Sequence, residues 1–357
     1  MTYGVLKQQS YLNMLNEKKS FEHPIIFIVG NSRSGTTMMS RILGNHPKIF
    51  KFLELHFFEE LWTPHDKNKM ISKSDAVSIA ARLLCVQRED YVLQGDLKYF
   101  NEEAENIINA MGMDTFTTEQ IFKTFLFYET FKNGKTIPCE NTPRNVFYIA
   151  EILEFYPDAR VVNMIRDPRD ILLSQKKKWR RWNLAERGLP VKEVIRLFNN
   201  YHPITISKLW NSSISATEKY ADNKRVLSLR YEDFIAEAEQ NLNKICNFIG
   251  IDFNEHLLEV TQGGSSFAKD NSGQKGIRKD RVGRWQKGGL NSTEIYLCQS
   301  ITSVFMEKHG YFPVTIQPNP IRLIYYFISF PLKIALAFFL NLKRMRNVIE
   351  TIKRRLT

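Results

Sequence analysis

The sequence predicts an α/β fold: a doubly wound parallel sheet of the P-loop type, flanked by helices, with a helical insertion and a C-terminal amphipathic helix. Three observations predict it. Short apolar runs alternate with helical patterns along the chain, as βαβ units require. Pro24-Ile25-Ile26-Phe27-Ile28-Val29 is almost unbroken in its apolarity, the mark of a strand covered on both faces. Between that strand and a helix lies Gly30-Asn31-Ser32-Arg33-Ser34-Gly35-Thr36-Thr37, a turn of small and polar residues.

Each element follows in order. A helix runs from about Thr36 to Leu43, and Gly44-Asn45-His46-Pro47 stops it. Lys48 to Glu54 forms a second strand. Residues 55 to 135 mix short helical patterns with aromatics and form the helical insertion. Val146 to Phe155 is an amphipathic helix, ended by Tyr156-Pro157-Asp158. Val161 to Ile165 is a strand. Asp167 then caps a helix that has Pro168 at its first position and runs through Ser174. Val226 to Leu229 is another strand, and the helix from Glu237 to Ile249 ends at Gly250. In such folds ligands bind at the carboxyl ends of the strands, which here carry Gly30 to Thr37, Glu54, Arg166 and Arg230.

Composition sets outer limits. Of 357 residues, 43% are apolar and 25% charged, which argues for a folded domain and against disorder. The cysteines (Cys85, Cys139, Cys246, Cys298) are scattered and form no CxxC pair, so a reducing compartment is expected and neither a disulfide framework nor a zinc site. Met1 to Ser20 has no apolar core of signal-peptide length. The net charge is +12, and the segment from Ile321 holds eight Lys/Arg against one acid, Glu350, so it carries +7 of that total. The remainder suits an anionic ligand, and no nucleic-acid motif accompanies it.

The loop from Gly30 is a phosphate site by context, because unpaired N–H groups at a helix N-terminus point at an anion. Its Gly-x4-Gly spacing matches an NTP-binding loop, but Thr36 stands where such a loop needs lysine. Arg33 supplies the cation instead, with a planar fork that suits phosphate or sulfonate oxygens.

These residues resemble a known family. Pro24 to Thr37 is similar to the 5'-phosphosulfate loop of sulfotransferases that use 3'-phosphoadenosine 5'-phosphosulfate (PAPS), and the Arg-Ser-Gly-Thr-Thr form is close to that of tyrosylprotein sulfotransferases and bacterial relatives. Ile165-Arg166-Asp167-Pro168-Arg169-Asp170, with Ser174 beyond it, resembles the 3'-phosphate segment. Arg278-Lys279-Asp280-Arg281-Val282-Gly283-Arg284-Trp285 resembles the late loop that closes over the nucleotide. The resemblance runs from about residue 24 to 290. Two positions depart from it: Asp280 replaces a glycine, and Glu140-Asn141-Thr142-Pro143 stands where tyrosylprotein members carry a catalytic lysine.

The resemblance implies transfer of a sulfuryl group from PAPS to a hydroxyl, with no metal. Arg33, Ser34, Gly35, Thr36 and Thr37 would cradle the 5'-phosphosulfate, with Arg33 stabilising the bridging oxygen. Arg166, Ser174, Arg278 and Lys279 would clamp the 3'-phosphate, and Tyr231 would lie near the adenine. Glu54 is the first candidate for the base, by its offset from His46-Pro47, and His56 the second. On a strand the two would share a face. Trp285 covers the nucleotide or anchors the late loop. Trp179, Arg180, Arg181 and Trp182 form an acceptor-side lip or, preferably, a solvated helix face.

Residues 1–320 are thus expected to form the catalytic domain, with 55–135 on the acceptor side, and 321–357 a basic amphipathic tail. Leu323 to Leu342 is marginally long enough to span a membrane, but spanning would set the domain on the side away from cytosolic PAPS. A helix lying on an anionic cytoplasmic leaflet is preferred to one packed back on the domain. Such an enzyme suits a carbohydrate, lipid or lipid-linked sugar acceptor. The alternatives are a P-loop kinase or other NTP-dependent phosphotransferase, and a non-catalytic peripheral membrane protein.

Overall fold

Five strands form one parallel sheet: β1 (Ile26–Gly30), β2 (Ile49–Lys51), β3 (Ile137–Glu140), β4 (Arg160–Ile165) and β5 (Val226–Arg230), in the order β2-β3-β1-β4-β5. The computed structural model describes residues 23–89, 95–178, 191–259, 276–342 and 348–356. Expectations for Met1 to Ser20, for Trp179 to Trp182 and for Lys343, Arg344 and Arg346 lie outside the described residues.

The apolar run of β1 is explained by its position at the centre. Ile26 and Ile28 face one side, against Met39, Ile42 and Leu43 of α1 (Thr36–Gly44). Phe27 and Val29 face the other, in one cluster with residues of the insertion. That insertion holds α2 (Phe57–Glu60), α3 (Lys73–Glu89), α4 (Asn101–Ala110) and α5 (Thr118–Lys132). Phe122 of α5 stacks on Phe57 with ring centroids 4.1 Å apart, and reaches Phe58 and Tyr156. The insertion is therefore part of the same core as the sheet.

The remaining helices are α6 (Ile149–Phe155), α7 (Pro168–Lys176), α8 (Val191–Asn199), α9 (Pro203–Glu218), α10 (Tyr231–Ala236), α11 (Ala238–Ile249), α12 (Ser292–Lys308), α13 (Pro320–Asn341) and α14 (Val348–Leu356). Asp167 caps α7 through Arg169 N–H, and Gly250 ends α11 in the left-handed region, both as expected. All four cysteines are buried as free thiols.

Three expectations change. The second strand is only Ile49–Lys51, so Glu54 and His56 sit in the loop beyond it, and His56 has φ 52°. The helix expected from Val146 begins at Ile149, after a tight 3-10 stretch from Pro143 to Tyr148. β3 is an additional central strand. Pro138 removes a ladder N–H from it and spoils the usual signature of a central strand.

The tail does two things. Helix α14 packs back: Arg354 donates to Glu151 (2.5 Å) and to the Phe147 carbonyl (2.7 Å), and Arg355 pairs with Glu59. Helix α13 leaves its apolar face exposed, including Ile324, Phe327, Ile328, Leu332 and Phe339. Polar contacts nonetheless fasten it along its length. Asn291 Nδ2 donates to Tyr326 (3.1 Å), His202 meets Ser329 (3.4 Å), Lys333 reaches Asn199 (3.5 Å), and Asn341 bonds Asn200 (2.9 Å).

Phe122→Ala is expected to cost about 3–5 kcal/mol, because it empties the seam between insertion and sheet. A single shifted urea transition would show one cooperative unit. A second, separate transition would show that the insertion folds apart from the sheet.

Candidate active site

Because the sheet is parallel, the carboxyl ends of its strands lie along one edge. Gly30 of β1 registers with Met164 of β4, so the loop after β1 meets the segment after β4. No side chain fits at Gly30: a Cβ would lie 2.5 Å from the Met164 carbonyl oxygen, and φ is 146°. Gly35, at φ 102°, caps α1 and lets the ring of Tyr231 press against its backbone, where a Cβ would come within 2.6 Å.

Most of the residues expected to bind the donor converge here. Arg33 Nε donates to Ser174 Oγ at 3.0 Å, joining the loop to α7. Arg166 Nη1 donates to the Arg33 carbonyl (3.3 Å), and its guanidinium stacks over the Tyr231 ring at 4.3 Å. Ser34 is turned inward: its N–H and its hydroxyl both donate to the Asn31 carbonyl, so it shapes the loop. Thr36 is buried and Thr37 exposed, at the start of a helix whose first N–H groups have no partner within the helix. Buried Arg166 Nε has no hydrogen-bond partner among the described residues. This open donor set fits a phosphate or sulfonate anion.

The late loop is held to this cluster by a residue the sequence reading left without a role. Asp170 is buried and accepts from Gly283 N–H and Trp285 N–H, both at 2.9 Å, and from Arg166 at 3.4 Å. Arg166 also donates to the Arg281 carbonyl at 2.6 Å. Burial raises the Asp170 pKa, against the pull of Arg166 and the two amides. Trp285 is buried under Arg169, whose guanidinium lies 4.1 Å from its ring, so it anchors the loop. Arg278 is less committed to the cluster: it is half-buried at the rim and pairs with Asp280 through two 2.8 Å bonds. Lys279, next to it, is exposed.

The two base candidates form a second cluster after β2. His56 Nε2 lies 3.6 Å from Glu54, and Nδ1 lies 3.3 Å from Glu59. Glu54 is 44% exposed, whereas the His56 side chain is 12% exposed and Glu59 is 4% exposed. Burial alone would raise the pKa of Glu59, but Arg144, Arg355 and His56 overcome it and hold the carboxyl well below its ordinary range. A carboxylate there accepts from Nδ1 and fixes the ring, with Nε2 on the side of Glu54. His56 N–H donates to Thr142 Oγ1 (3.2 Å), and Thr142 in turn bonds Glu140 at the end of β3. Glu59 has a sequence signal in its i+3 spacing from His56. Glu140 has one only once β3 is recognised.

A family model described as the Sulfotransferase family matches residues 24–255. Sulfotransferase 2A6 of Mus musculus is 25% identical over 204 residues, covering 52% of this chain and 67% of its own length. Omega-hydroxy-beta-dihydromenaquinone-9 sulfotransferase Stf3 of Mycobacterium tuberculosis is 25% identical over 268 residues, 67% of this chain and 66% of its own. Among solved structures, the sulfotransferase domain of the Synechococcus olefin synthase aligns with a TM-score of 0.48 and 18% identity, over 79% of this chain and 94% of that domain.

Glu140 titrates within a measurable window. Burial pushes its carboxyl up to about 6, partly offset by bonds from Thr142 and Leu55. A raised carboxyl pKa means the protonated form favours the fold. Its contribution is present below about 4.5 and lost as pH rises through about 6, a change of about 2 kcal/mol. The stability difference between the wild type and Glu140→Gln should shrink by that amount across this window in urea titrations. A constant difference would contradict it.

Proposed function

The chain belongs to the sulfotransferase family, and from that premise we propose how its own residues move the sulfuryl group from PAPS to the hydroxyl of an amphiphilic, membrane-held acceptor. The observation that carries the reading is the convergence of Arg33, Ser174, Arg166 and Tyr231 at the edge where β1 and β4 end. Membership of this family replaces the kinase alternative, and the threonine at position 36 agrees.

Sulfuryl transfer passes through a loose in-line transition state, so positioning and electrostatics dominate, as in phosphoryl transfer. The first-turn amides of α1, with Thr36 and Thr37, receive the 5'-phosphosulfate. Arg33 meets the charge that grows on the bridging oxygen. Arg166 and Ser174, with Arg278 and Lys279 at the rim, receive the 3'-phosphate, and Tyr231 supports the base-stacking side. Glu54 takes the acceptor proton, being the exposed member of its pair, while His56 orients it. The acceptor oxygen bonds sulfur, the bond between sulfur and the phosphate oxygen breaks, and adenosine 3',5'-bisphosphate leaves with that electron pair. With these cations in place the mechanism calls for no metal.

The tail supports the acceptor class. α13 has 22 residues, its most apolar stretch has a mean hydropathy of 1.9, and no residue in that stretch is fully buried, so it leaves an apolar strip free for lipid. Exposed Val191, Ile195 and Phe198 of neighbouring α8 extend that strip. Polar contacts along the whole of α13 favour a helix lying on a bilayer over one crossing it. Arg322 and Lys333 suit an anionic leaflet, on the cytoplasmic side where PAPS is made available. Arg354 and Arg355 face protein carboxylates, which lowers the charge left for lipid. A lipid hydroxyl as acceptor agrees with the omega-hydroxy-beta-dihydromenaquinone-9 after which Stf3 is named.

Two measurements test this. Adenosine 3',5'-bisphosphate at 100 times its Kd should stabilise the protein by about 2.7 kcal/mol, a melting shift of a few degrees, absent in Arg166→Ala and with ATP and magnesium. A shift with ATP alone would overturn the donor assignment. With PAPS labelled in the sulfuryl group, label should pass to hexadecanol in anionic vesicles, and Glu54→Gln should lower kcat about 10²–10⁴-fold with little change in the KM for PAPS. Label found only on water-soluble sugars would overturn the lipid acceptor.

A further inference from the structure

We propose that Arg355, in the C-terminal helix α14, is a positioning residue for the reaction: it fixes the Glu59 carboxylate that holds His56 against Glu54. The proposal rests on the Glu54–His56 pair as the base. It concerns a residue beyond the stretch that resembles the family, and one separated from Glu59 by 296 positions.

The geometry divides the two oxygens of Glu59. Oε2 faces His56 Nδ1 at 3.3 Å and Arg144 Nη1 at 3.2 Å. Oε1 is taken by Arg355 Nη2. A carboxylate gripped at both oxygens cannot rotate, so the ring it orients is fixed as well. Of the two arginines, Arg144 is 42% exposed and Arg355 20%, so Arg355 is the better shielded and more firmly seated partner. Its helix is seated independently. Arg354 lies over the Tyr148 ring at 4.5 Å and bonds Glu151 and the Phe147 carbonyl, and Ser212 Oγ donates to the Arg355 carbonyl at 2.8 Å. Removing the Arg355 guanidinium leaves a buried carboxylate with its charge less well matched, free to turn toward Arg144 and release the ring. The segment that carries the exposed apolar face of α13 thereby also completes the base.

A purely structural role predicts a lower melting temperature and an unchanged kcat per folded molecule. A positioning role predicts a change in kcat itself. The test compares Arg355→Ala, Arg355→Lys and a chain ending at Asn347, with labelled PAPS and the acceptor that takes label in the assay above. Arg355→Ala should lower kcat about 10- to 100-fold. The KM for PAPS and the affinity for adenosine 3',5'-bisphosphate should stay within about twofold, since the donor cluster is untouched. Arg355→Lys should restore part of the loss. In a Glu59→Gln background, Arg355→Ala should have no further effect on kcat. Full kcat in Arg355→Ala, or an equal loss with and without Glu59, would overturn the proposal. If the shortened chain does not fold, the lysine variant and the double-mutant comparison still decide. Wild-type kcat in Glu54→Gln would instead sink the base assignment, a separate outcome.

Discussion

The contact between Gly30 and the Met164 carbonyl is the constraint on which the site depends. A parallel sheet can bring two strand ends together only as closely as their side chains permit. With no Cβ at Gly30, β1 stays in register with β4 to its own last residue. The loop after one strand and Arg166 after the other then share a single small volume. Arg33 can reach Ser174, Arg166 can reach the Arg33 carbonyl, and Tyr231 can lie against Gly35.

Around that junction, buried carboxylates rather than apolar packing set the order. Asp170 holds the late loop through two backbone amides, Asp167 pairs with Arg169, and Glu232 accepts from Asp167 N–H and the Tyr311 hydroxyl. Each such acid would be costly alone in the interior, and each has charged or amide donors arranged about it. The same logic repeats after β2, where Glu59 and Glu140 hold the loop that carries His56. Two knots of this kind stand on a common sheet edge.

What the sequence makes legible is what is local. The glycine-framed loop and the cap at Asp167 are short-range patterns that the residues themselves expose, and the eight-residue step from Arg166 to Ser174 is legible through the family resemblance. The pairings that finish the site are not local. Asp170 and Trp285 are 115 residues apart, and Glu59 and Arg144 85. No periodicity marks such partners. β3 is hidden for a different reason: a proline and a cysteine occupy its middle, and its four residues are covered so completely by neighbours that intrinsic strand preference has little to decide. Glu54 and His56 illustrate a right pairing reached by the wrong geometry, since they meet through the left-handed turn at His56 instead of across a strand face.

The exposed rim of the late loop has one further consequence. Asp280 lies 2.8 Å from Arg278, 4.0 Å from Arg281 and 3.9 Å from Arg284. It acts as a built-in counter-ion for three cations. A bare trio of guanidiniums at a surface would collect chloride or inorganic phosphate from the medium. With an acid already among them, a monovalent anion gains little by entering. The loop therefore holds its charge largely neutralised from within, and any anion that binds there must first displace the acid.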